Sequence, residues 1–383
     1  MSIPYGRQDI TQSDIDAVVS VLRSDFLTQG PQVPAFELAV REHCGVRQAL
    51  ACNSATSALH MACLALGLGP GDTLWTSPIT FVASANCGLY CGAAIDFVDI
   101  DPATFNMCPE ALAEKLSAAE KTGKLPKILV VVHMCGQSAE MEPISILARK
   151  YGIRIIEDAS HAIGGRYRDK PIGDCRYSDI TVFSFHPVKI ITTAEGGIVT
   201  TNSDELANHM SLLRSHGITR NQDQMTKAPD GPWYYEQIEL GWNFRMTEMQ
   251  AALGRSQIER LDAYVGLRHA HAEVYDKQLA DLPIILPWRR TDTHSAFHLY
   301  VIQLKETERR LKVFEDLRQR GIGVNVHYIP VHLQPYYQQF GFRKGDFPLA
   351  EKMYAGAISL PLFAQMTSGQ RSEVIKKVHE VLA

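Results

Sequence analysis

The sequence lacks both the long apolar run of a membrane-spanning helix and the positive charge of a nucleic-acid-binding protein. No stretch approaches ~20 consecutive apolar residues, the length that a membrane span requires. Charged side chains already occur within the first ten residues, which does not fit a secretory signal. The formal charge of −4 at pH 7 provides no field that would attract nucleic acid or an anionic membrane. We therefore expect a cytoplasmic protein with neither kind of partner.

The eight cysteines also lack the paired Cys-x-x-Cys spacing of zinc sites and redox motifs. They lie among Ala, Leu and Val in the first half of the chain, which is typical of small buried side chains in a reducing compartment. The histidine pairs His294 with His298 and His327 with His332 lack the carboxylate and helical context that a metal site requires. We therefore expect neither a disulfide framework nor a bound metal.

The chain has the length and composition of an ordinary globular protein with more than one domain. Of its 383 residues, 45% are hydrophobic and 21% are charged, which allows a large core. Strand-like apolar runs alternate with helical periodicity in the first part, a pattern that predicts an α/β fold with a parallel sheet covered by helices on both faces. We divide the chain into residues 1–255, a large domain, and residues 256–383. The second unit comprises most of a long helix predicted at 247–279 and a small α/β domain with a strand at 323–328.

Two polar side chains stand at the ends of predicted buried strands. Residues 178–189 predict a strand that delivers a single lysine, Lys189, and burial would make its amine nucleophilic near neutral pH. Residues 153–158 predict a strand that ends at Asp158, and ligands of α/β sheets lie beyond such strand ends. The pair suggests pyridoxal phosphate, which is held by a Lys Schiff base and tuned by a carboxylate at its ring nitrogen. Taken alone, Lys189 fits a surface loop and Asp158 fits a helix N-cap equally well.

A third candidate is the N-terminus of an apolar helix that begins after Ser54 and stops at Gly67. Because a helix apolar on all sides is buried, its N-terminal N–H groups would offer a phosphate site inside the protein. Simple N-capping by Ser54 is the alternative. Ser184 precedes Lys189 by five residues, which places the two side chains on opposite faces of a regular strand unless the strand breaks at Pro187.

Three motifs carry a resemblance to a known family. They are Glu-Asp-Ala-Ser-His-Ala at 157–162, Ser-Phe-His-Pro-Val-Lys at 184–189 with Glu-Gly-Gly at 195–197, and Asn-Phe-Arg-Met-Thr-Glu-Met-Gln-Ala-Ala at 243–252. The sequence resembles the sugar-nucleotide aminotransferases of the DegT/DnrJ/EryC1/StrS family almost from end to end. The resemblance implies fold type I, with a mainly parallel seven-stranded sheet, flanking helices and a smaller C-terminal α/β domain. It also implies pyridoxal 5′-phosphate as cofactor and a homodimer with shared active sites.

The resemblance assigns roles to individual residues. Lys189 would hold the cofactor and move protons, and Asp158 would keep the ring nitrogen protonated. The other cofactor contacts would be Ala55, Thr56 and Ser184 at the phosphate, Phe81 on the ring, His161 near its phenolic oxygen, and Asn243 reaching into the neighbouring subunit's site. Substrate contacts would come from Tyr5, Phe26, Leu27, Thr28, Gln29, Ser54, His327 and Tyr328. For Asn243 the alternative is a helix cap.

The activity implied is amino transfer from L-glutamate to C4 of a UDP-linked 4-keto-6-deoxy-N-acetylhexosamine, as in the family's members that serve pseudaminic acid synthesis. Another 4-keto sugar nucleotide, such as the D-xylo epimer, a dTDP-sugar or a UDP-pentose, stays open. Family members that dehydrate sugars have His in place of the catalytic Lys, and Lys189 argues against that class. A non-catalytic cofactor-binding regulator would need a partner-binding segment or a DNA-reading module, and the sequence shows no extra N-terminal helix-turn-helix or basic stripe.

Overall fold

A seven-stranded, mainly parallel sheet forms the centre of the chain in a computed structural model that describes residues 2–382. Met1, the first residue of the first predicted domain, and Ala383, the last residue of the second, lie outside the described residues. The spatial order of the strands is β1-β7-β6-β5-β4-β2-β3, and β7 runs antiparallel to both of its neighbours. The strands β1 to β7 span Gln48–Cys52, Thr73–Thr76, Ala94–Phe97, Ile128–Val132, Arg154–Asp158, Ile180–Ser184 and Gly197–Thr201. The predicted α/β architecture is confirmed.

The central strands are buried because helices cover both faces of the sheet. All five residues of β4 are buried, as are those of β6 and β7. Successive residues of β4 point in opposite directions, so that Val130 packs in one hydrophobic cluster and Leu129 and Val131 in another.

Thirteen α-helices lie within the described residues. The helices α1 to α7 span Gln12–Leu22, Gln32–Cys44, Ala55–Ala65, Ala83–Tyr90, Pro109–Thr122, Met141–Lys150 and Asp204–Arg214. The helices α8 to α13 span Glu248–Ile258, Leu261–Gln278, Arg310–Gln319, Pro335–Gln338, Pro348–Gly356 and Ser368–Leu382. The clusters on the two sheet faces contain residues of α3 and of α5 and α6 respectively, which gives the sheet its two covering layers.

The single long helix predicted at 247–279 is wrong, because the chain forms two helices, α8 and α9, separated at Glu259 and Arg260. Arg260 leaves helical geometry, with φ −106° and ψ 3°. Its guanidinium bonds to the Asp14 carboxylate at 2.7 Å and to the Tyr264 hydroxyl at 2.9 Å. The apolar periodicity continues through this break, so the sequence pattern conceals a turn that a distant carboxylate stabilises. The domain boundary predicted after residue 255 falls inside α8 and stays a prediction.

A three-stranded antiparallel sheet organises the C-terminal part of the chain. Its strands β8, β9 and β10 are Ile284–Ile285, Tyr300–Leu304 and Ala357–Leu360, with β9 in the middle. Helices α10 and α13 share one hydrophobic cluster with this sheet, through residues such as Leu317 and Val378. Five two-residue strands form smaller ribbons, at Arg166–Tyr167, Lys170–Pro171, Ile218–Thr219, Glu236–Gln237 and Thr293–His294.

The strand predicted at 323–328 is also wrong. The segment makes one bridge, in which Asn325 and Ser359 exchange backbone hydrogen bonds of 3.3 and 2.8 Å. The backbone then leaves the sheet edge, so that the side chains of residues 325–328 line a cavity instead of continuing a ladder.

No helix between residues 2 and 382 is long and apolar enough to cross a membrane. Over the same described range, no three His, Cys, Asp or Glu side chains are grouped so as to hold a metal ion.

Asp14 on α1 ties the N-terminal helix to α8 and α9. Its carboxylate is fully buried and accepts hydrogen bonds from Gln257 at 2.8 Å and from Arg260 at 2.7 Å. Burial alone would raise the pKa of Asp14, but the bonds from Arg260 and Thr11 hold it below its ordinary value.

We expect Asp14→Asn to lower the free energy of unfolding at pH 7 by about 3 kcal/mol, because it leaves Arg260 without its ionic partner. A carboxylate with a depressed folded pKa stabilises the fold above its unfolded pKa of about 3.9, and this contribution is lost as the pH falls further. The difference in free energy of unfolding between wild type and variant, measured by urea denaturation, should therefore become smaller below about pH 4. Asp16→Ala, at an exposed carboxylate of the same helix, is the control. A gap independent of pH would contradict the ionic role.

Candidate active site

A cavity of about 610 Å³ opens beyond the carboxyl ends of β4, β5 and β6. Val132, Asp158 and Ser184, the last residues of these strands, all contribute to its wall. The C-terminal part of the chain closes the opposite side with residues that include Tyr328. The cavity therefore lies where open α/β sheets bind their ligands.

Lys189 lies in this cavity, but on a turn and not on a strand. The strand β6 ends at Ser184, and the backbone N–H of Lys189 donates to the carbonyl of His186 at 2.9 Å. The prediction of a strand that reaches Lys189 is wrong because the chain turns back, and Thr193 donates to the Phe185 carbonyl at 3.0 Å. The turn removes the problem of the odd spacing, since Ser184 and Lys189 both line the cavity.

The amine of Lys189 is held in a state suited to nucleophilic chemistry. Burial lowers its pKa to about 8, and the nearby Asp158 carboxylate offsets part of that effect. With this pKa, about a tenth of the amine is uncharged at pH 7. This is far more than for an unburied lysine, and the uncharged form is the one that an amine nucleophile requires.

Asp158 is fixed in orientation by two donors. The hydroxyl of Ser84 donates to Oδ2 at 2.6 Å, and the backbone N–H of Ser160 donates to Oδ1 at 3.1 Å. Ser84 is itself joined to the Thr80 hydroxyl at 2.7 Å. Asp158 is 5% exposed and precedes a turn instead of a helix, so the helix-cap alternative does not apply.

The neighbouring Glu157 faces away from the cavity. Its carboxylate pairs with His133 at 2.6 Å and accepts a hydrogen bond from Ser178 at 2.5 Å. Burial would raise the pKa of Glu157, but these partners hold it below its ordinary value. The strand alternation thus sends one carboxylate to a structural pair and leaves Asp158 for the cavity.

The N-terminus of α3 supplies a phosphate-sized cradle on the same wall. Ser54 caps the helix by accepting from the Ser57 N–H at 3.1 Å, so the capping alternative is correct in geometry. The N–H groups of Ala55 and Thr56 belong to the first turn and have no intrahelical partner. A Cβ atom at Gly197 would lie 2.5 Å from the Ala55 nitrogen, so glycine lets β7 approach this end.

Aromatic and imidazole rings form the remaining wall. Phe81 is 58% exposed, and its ring centre lies 6.2 Å from that of Tyr328. The Tyr328 hydroxyl is 3.2 Å from His161 Nε2, and His327 Nδ1 is 2.8 Å from the Ser359 hydroxyl. Burial lowers the pKa of His327 to about 4, so this ring is uncharged at neutral pH.

The structure brings most of the predicted site residues together. The cavity wall includes Tyr5, Ser54, Ala55, Thr56, Phe81, Asp158, His161, Ser184, Lys189, His327 and Tyr328. Five others lie outside this wall and are exposed in the single chain, namely Phe26, Leu27, Thr28, Gln29 and Asn243. Asn243 does not cap α8, because Thr247 does so by accepting from the Gln250 N–H at 3.3 Å. The functional roles of all these residues stay predictions.

The wall also contains residues that were not among the predicted site residues. Ser160 and Glu195 belong to motifs already quoted, but no spacing marked them. Asn325 was hidden by the wrong strand prediction, and His298 lies in a stretch that reads as a strand. Ser84 bonds to Asp158 although 74 residues separate them, and no local pattern reveals such a contact.

The arrangement fits pyridoxal phosphate. An amine, a fixed carboxylate and a helix N-terminus line one cavity together with an aromatic ring. His161 Nδ1 is buried without a hydrogen-bond partner among the described residues, which leaves a polar atom for a ligand. When the cofactor is bound, Lys189, Asp158, the α3 N-terminus and Phe81 would hold it.

Comparisons with known proteins agree with this geometry. The model of the DegT/DnrJ/EryC1/StrS aminotransferase family matches residues 8–379. The chain is 38% identical over 370 residues to a UDP-4-amino-4,6-dideoxy-N-acetyl-beta-L-altrosamine transaminase of Campylobacter jejuni, covering 95% of this chain and 93% of that protein. It is 36% identical over 357 residues to a GDP-perosamine synthase of Caulobacter vibrioides, covering 92% and 91%. Helicobacter pylori PseC, an aminotransferase involved in the biosynthesis of pseudoaminic acid, superposes with a TM-score of 0.92 at 34% identity, covering 100% and 99%.

We expect Lys189→Ala to abolish covalent retention of the cofactor, because no other lysine among the described residues lines the cavity. The measurement is borohydride reduction of the pyridoxal phosphate-loaded protein followed by mass spectrometry of its peptides. Lys170→Ala, at an exposed lysine outside the cavity, should retain the adduct. A reducible adduct of normal yield in Lys189→Ala would contradict the assignment.

Ser84→Ala should weaken cofactor binding about tenfold, because it removes a hydrogen bond to a charged group, the Asp158 carboxylate. Fluorescence titration of the cofactor-free protein with pyridoxal phosphate measures the change. The matched control is Ser145→Ala, a buried serine that bonds to the Glu142 carbonyl away from the cavity. Equal affinities in both variants would show that the Ser84 contact does not orient Asp158 for the cofactor.

Proposed function

Because the chain belongs to the DegT/DnrJ/EryC1/StrS aminotransferase family, it is a pyridoxal phosphate-dependent sugar aminotransferase, and we propose that it aminates C4 of a UDP-linked 4-keto-6-deoxy-N-acetylhexosamine. The proposed amino donor is L-glutamate, and the proposed product is UDP-4-amino-4,6-dideoxy-N-acetyl-β-L-altrosamine. The similarity to a transaminase named for this product, over 95% of the chain, supports the substrate. The similarity to the pseudoaminic acid enzyme supports the same pathway.

One observation carries the chemistry. The amine of Lys189, whose pKa is lowered by burial, shares a cavity with a carboxylate that two donors hold in place. Ordinary surface lysines and strand-end carboxylates do not combine these properties. The pair therefore supports amino-group chemistry more strongly than either residue alone.

When bound, pyridoxal phosphate supplies an electron-accepting ring and a carbon that carries the amino group between substrates. In our proposal, Lys189 Nζ removes the proton from the donor's α-carbon and later returns a proton at C4 of the sugar. The pKa of about 8 suits both directions, because the amine is neither fully charged nor a strong base near neutral pH. Asp158 would lie at the ring nitrogen and hold the proton there.

We also propose that two copies of the chain complete each active site. The described wall of one chain contains no arginine, although the substrate carries a diphosphate. Trp233 is 71% exposed and Leu240 is 74% exposed on a segment that precedes Asn243. Such apolar exposure suits burial against a partner. Asn243 and residues 26–29, which lie away from the cavity of their own chain, would then serve the site of a second copy.

A GDP-linked 4-keto-6-deoxyhexose is the second candidate for the acceptor. The observation in its favour is the similarity to a GDP-perosamine synthase, whose identity of 36% is close to that of the UDP-sugar enzyme. The catalytic residues would be the same for either acceptor, since the nucleotide is remote from the reacting carbon.

We expect the purified enzyme to transfer nitrogen from glutamate to the proposed substrate, the β-L-arabino form of the UDP-linked 4-keto sugar. The kcat/KM for this sugar should be about tenfold or more above that for its D-xylo epimer, because the epimer misplaces C4. Coupled detection of 2-oxoglutarate and mass spectrometry of the sugar nucleotide measure the preference. Lys189→Ala gives the background rate. A preference for the D-xylo epimer or for a GDP-linked sugar would replace the proposed substrate while leaving the aminotransferase assignment in place.

A further inference from the structure

His298 lies on the cavity wall without a hydrogen bond to its ring. It is 4% exposed, and its Nδ1 is buried without a partner among residues 2–382. The buried His327 on the same wall does have a partner, since its Nδ1 lies 2.8 Å from the Ser359 hydroxyl. A buried polar ring without a partner is unfavourable, so its retention needs an explanation other than a hydrogen bond within the chain.

The ring of His298 packs directly on His161. The two ring centres are 4.3 Å apart with an interplanar angle of 46°. The second contact of His161 is the hydrogen bond of its Nε2 to the Tyr328 hydroxyl at 3.2 Å. With one face occupied and one nitrogen bonded, Nδ1 is the polar atom of His161 that is left for a ligand.

The fold holds the backbone of His298 firmly against His161. Arg268 donates to the carbonyl of His298 at 3.3 Å and to those of Phe297 and Leu362 at 3.1 and 3.0 Å. A Cβ atom at Gly136 would lie 2.8 Å from the His161 carbonyl oxygen and 3.0 Å from the His298 nitrogen. Glycine at 136 therefore lets its backbone lie close to those of His161 and His298. The backbone of His298 is thus held by Gly136 on one side and by Arg268 on the other.

We propose that His298 is a positioning residue that fixes the His161 ring by packing on it and excludes water from it, so that His161 stays uncharged and presents Nδ1 to the bound cofactor. The role does not depend on a hydrogen bond from the His298 ring. The inference rests on the proposed function for the identity of the ligand, but the state of His161 is a property of the protein alone.

The surrounding charges support an uncharged His161. Burial lowers its pKa well below the ordinary value, and the Lys189 and His327 side chains lower it further. Burial likewise lowers the pKa of His298, and His161, Lys189, Arg268 and His327 add to the effect. The other titratable groups around the pair are Asp158 at the end of β5, Tyr328, Tyr5, and Cys135 on the turn at Met134–Gly136. Burial and the nearby Lys189 side chain therefore both favour the neutral imidazole of His161.

Two variants test the packing role. His298→Ala opens space beside His161 and should raise the pKa of His161 by about one unit or more toward its ordinary value near 6.5. His298→Phe keeps an aromatic ring in contact and should hold the pKa of His161 low, as in wild type. The measurement is an NMR titration of labelled histidines in the full-length, cofactor-free protein, with His161 assigned by its own substitution. His294→Ala, at an exposed histidine outside the cavity, is the control and should leave His161 unchanged.

The loaded enzyme gives a second readout. The pH midpoint of the visible absorption band of the bound cofactor should shift in His298→Ala and return to the wild-type value in His298→Phe. An unchanged His161 pKa in His298→Ala, or an equal rise in both variants, would overturn the proposal. Failure of the wild-type enzyme to aminate a sugar would instead overturn the proposed function and would leave the histidine titration intact. If His298→Ala does not fold, a raised His161 pKa in His298→Phe is still sufficient to refute the packing role.

Discussion

Burial of the Lys189 amine beside a carboxylate of fixed orientation is the constraint on which the rest of the site depends. Removal of water lowers the pKa of the amine to about 8, and the Asp158 carboxylate limits the effect by favouring the charged form. The two groups meet because β5 and β6 are neighbours in parallel register, with Asp158 opposite Val182. Adjacent strands then end at the same edge of the sheet, and the turn after Ser184 brings the amine back to that edge.

The C-terminal part of the chain completes this environment. It covers the open side of the cavity with Asn325, His327 and Tyr328, while the ring of His298 packs on His161. The backbone at Phe297 and His298 is held by Arg268, a fully buried cation that donates to these two carbonyls and to that of Leu362. Burial lowers the pKa of Arg268 to about 10, so the residue remains charged at neutral pH and can keep all three bonds. Burial thus lowers the pKa of both cations, Arg268 and the Lys189 amine on the cavity wall.

Much of this arrangement could be predicted from the sequence. The identities of Lys189 and Asp158 follow from single polar residues at the ends of apolar runs, and the α/β class follows from the alternation of strands and helices. The apolar helix that begins after Ser54 could also be predicted, although its N-terminus fitted simple N-capping as well as a phosphate site. These signals are local, so they survive without knowledge of the tertiary structure.

The failures concern interactions between distant parts of the chain. The break at Arg260 depends on Asp14, and the hydrogen bond that orients Asp158 at the end of β5 comes from Ser84 on α4. Neither contact is marked by a periodic pattern in the sequence. The segment at 325–328 has the composition of a strand, but a single bridge to Ser359 ends its pairing, and its side chains serve the cavity. Sequence periodicity reports which residues are buried but not which of two buried surfaces they meet.

We expect the cofactor to lie between the Asp158 carboxylate and the Lys189 amine. A crystal structure of the pyridoxal phosphate-loaded protein tests this most directly. We expect the ring nitrogen within hydrogen-bonding distance of Asp158, a covalent bond to Lys189 Nζ and the phosphate at the N–H groups of Ala55 and Thr56. Density for the cofactor on a different lysine, or a ring nitrogen that faces away from Asp158, would contradict the central claim.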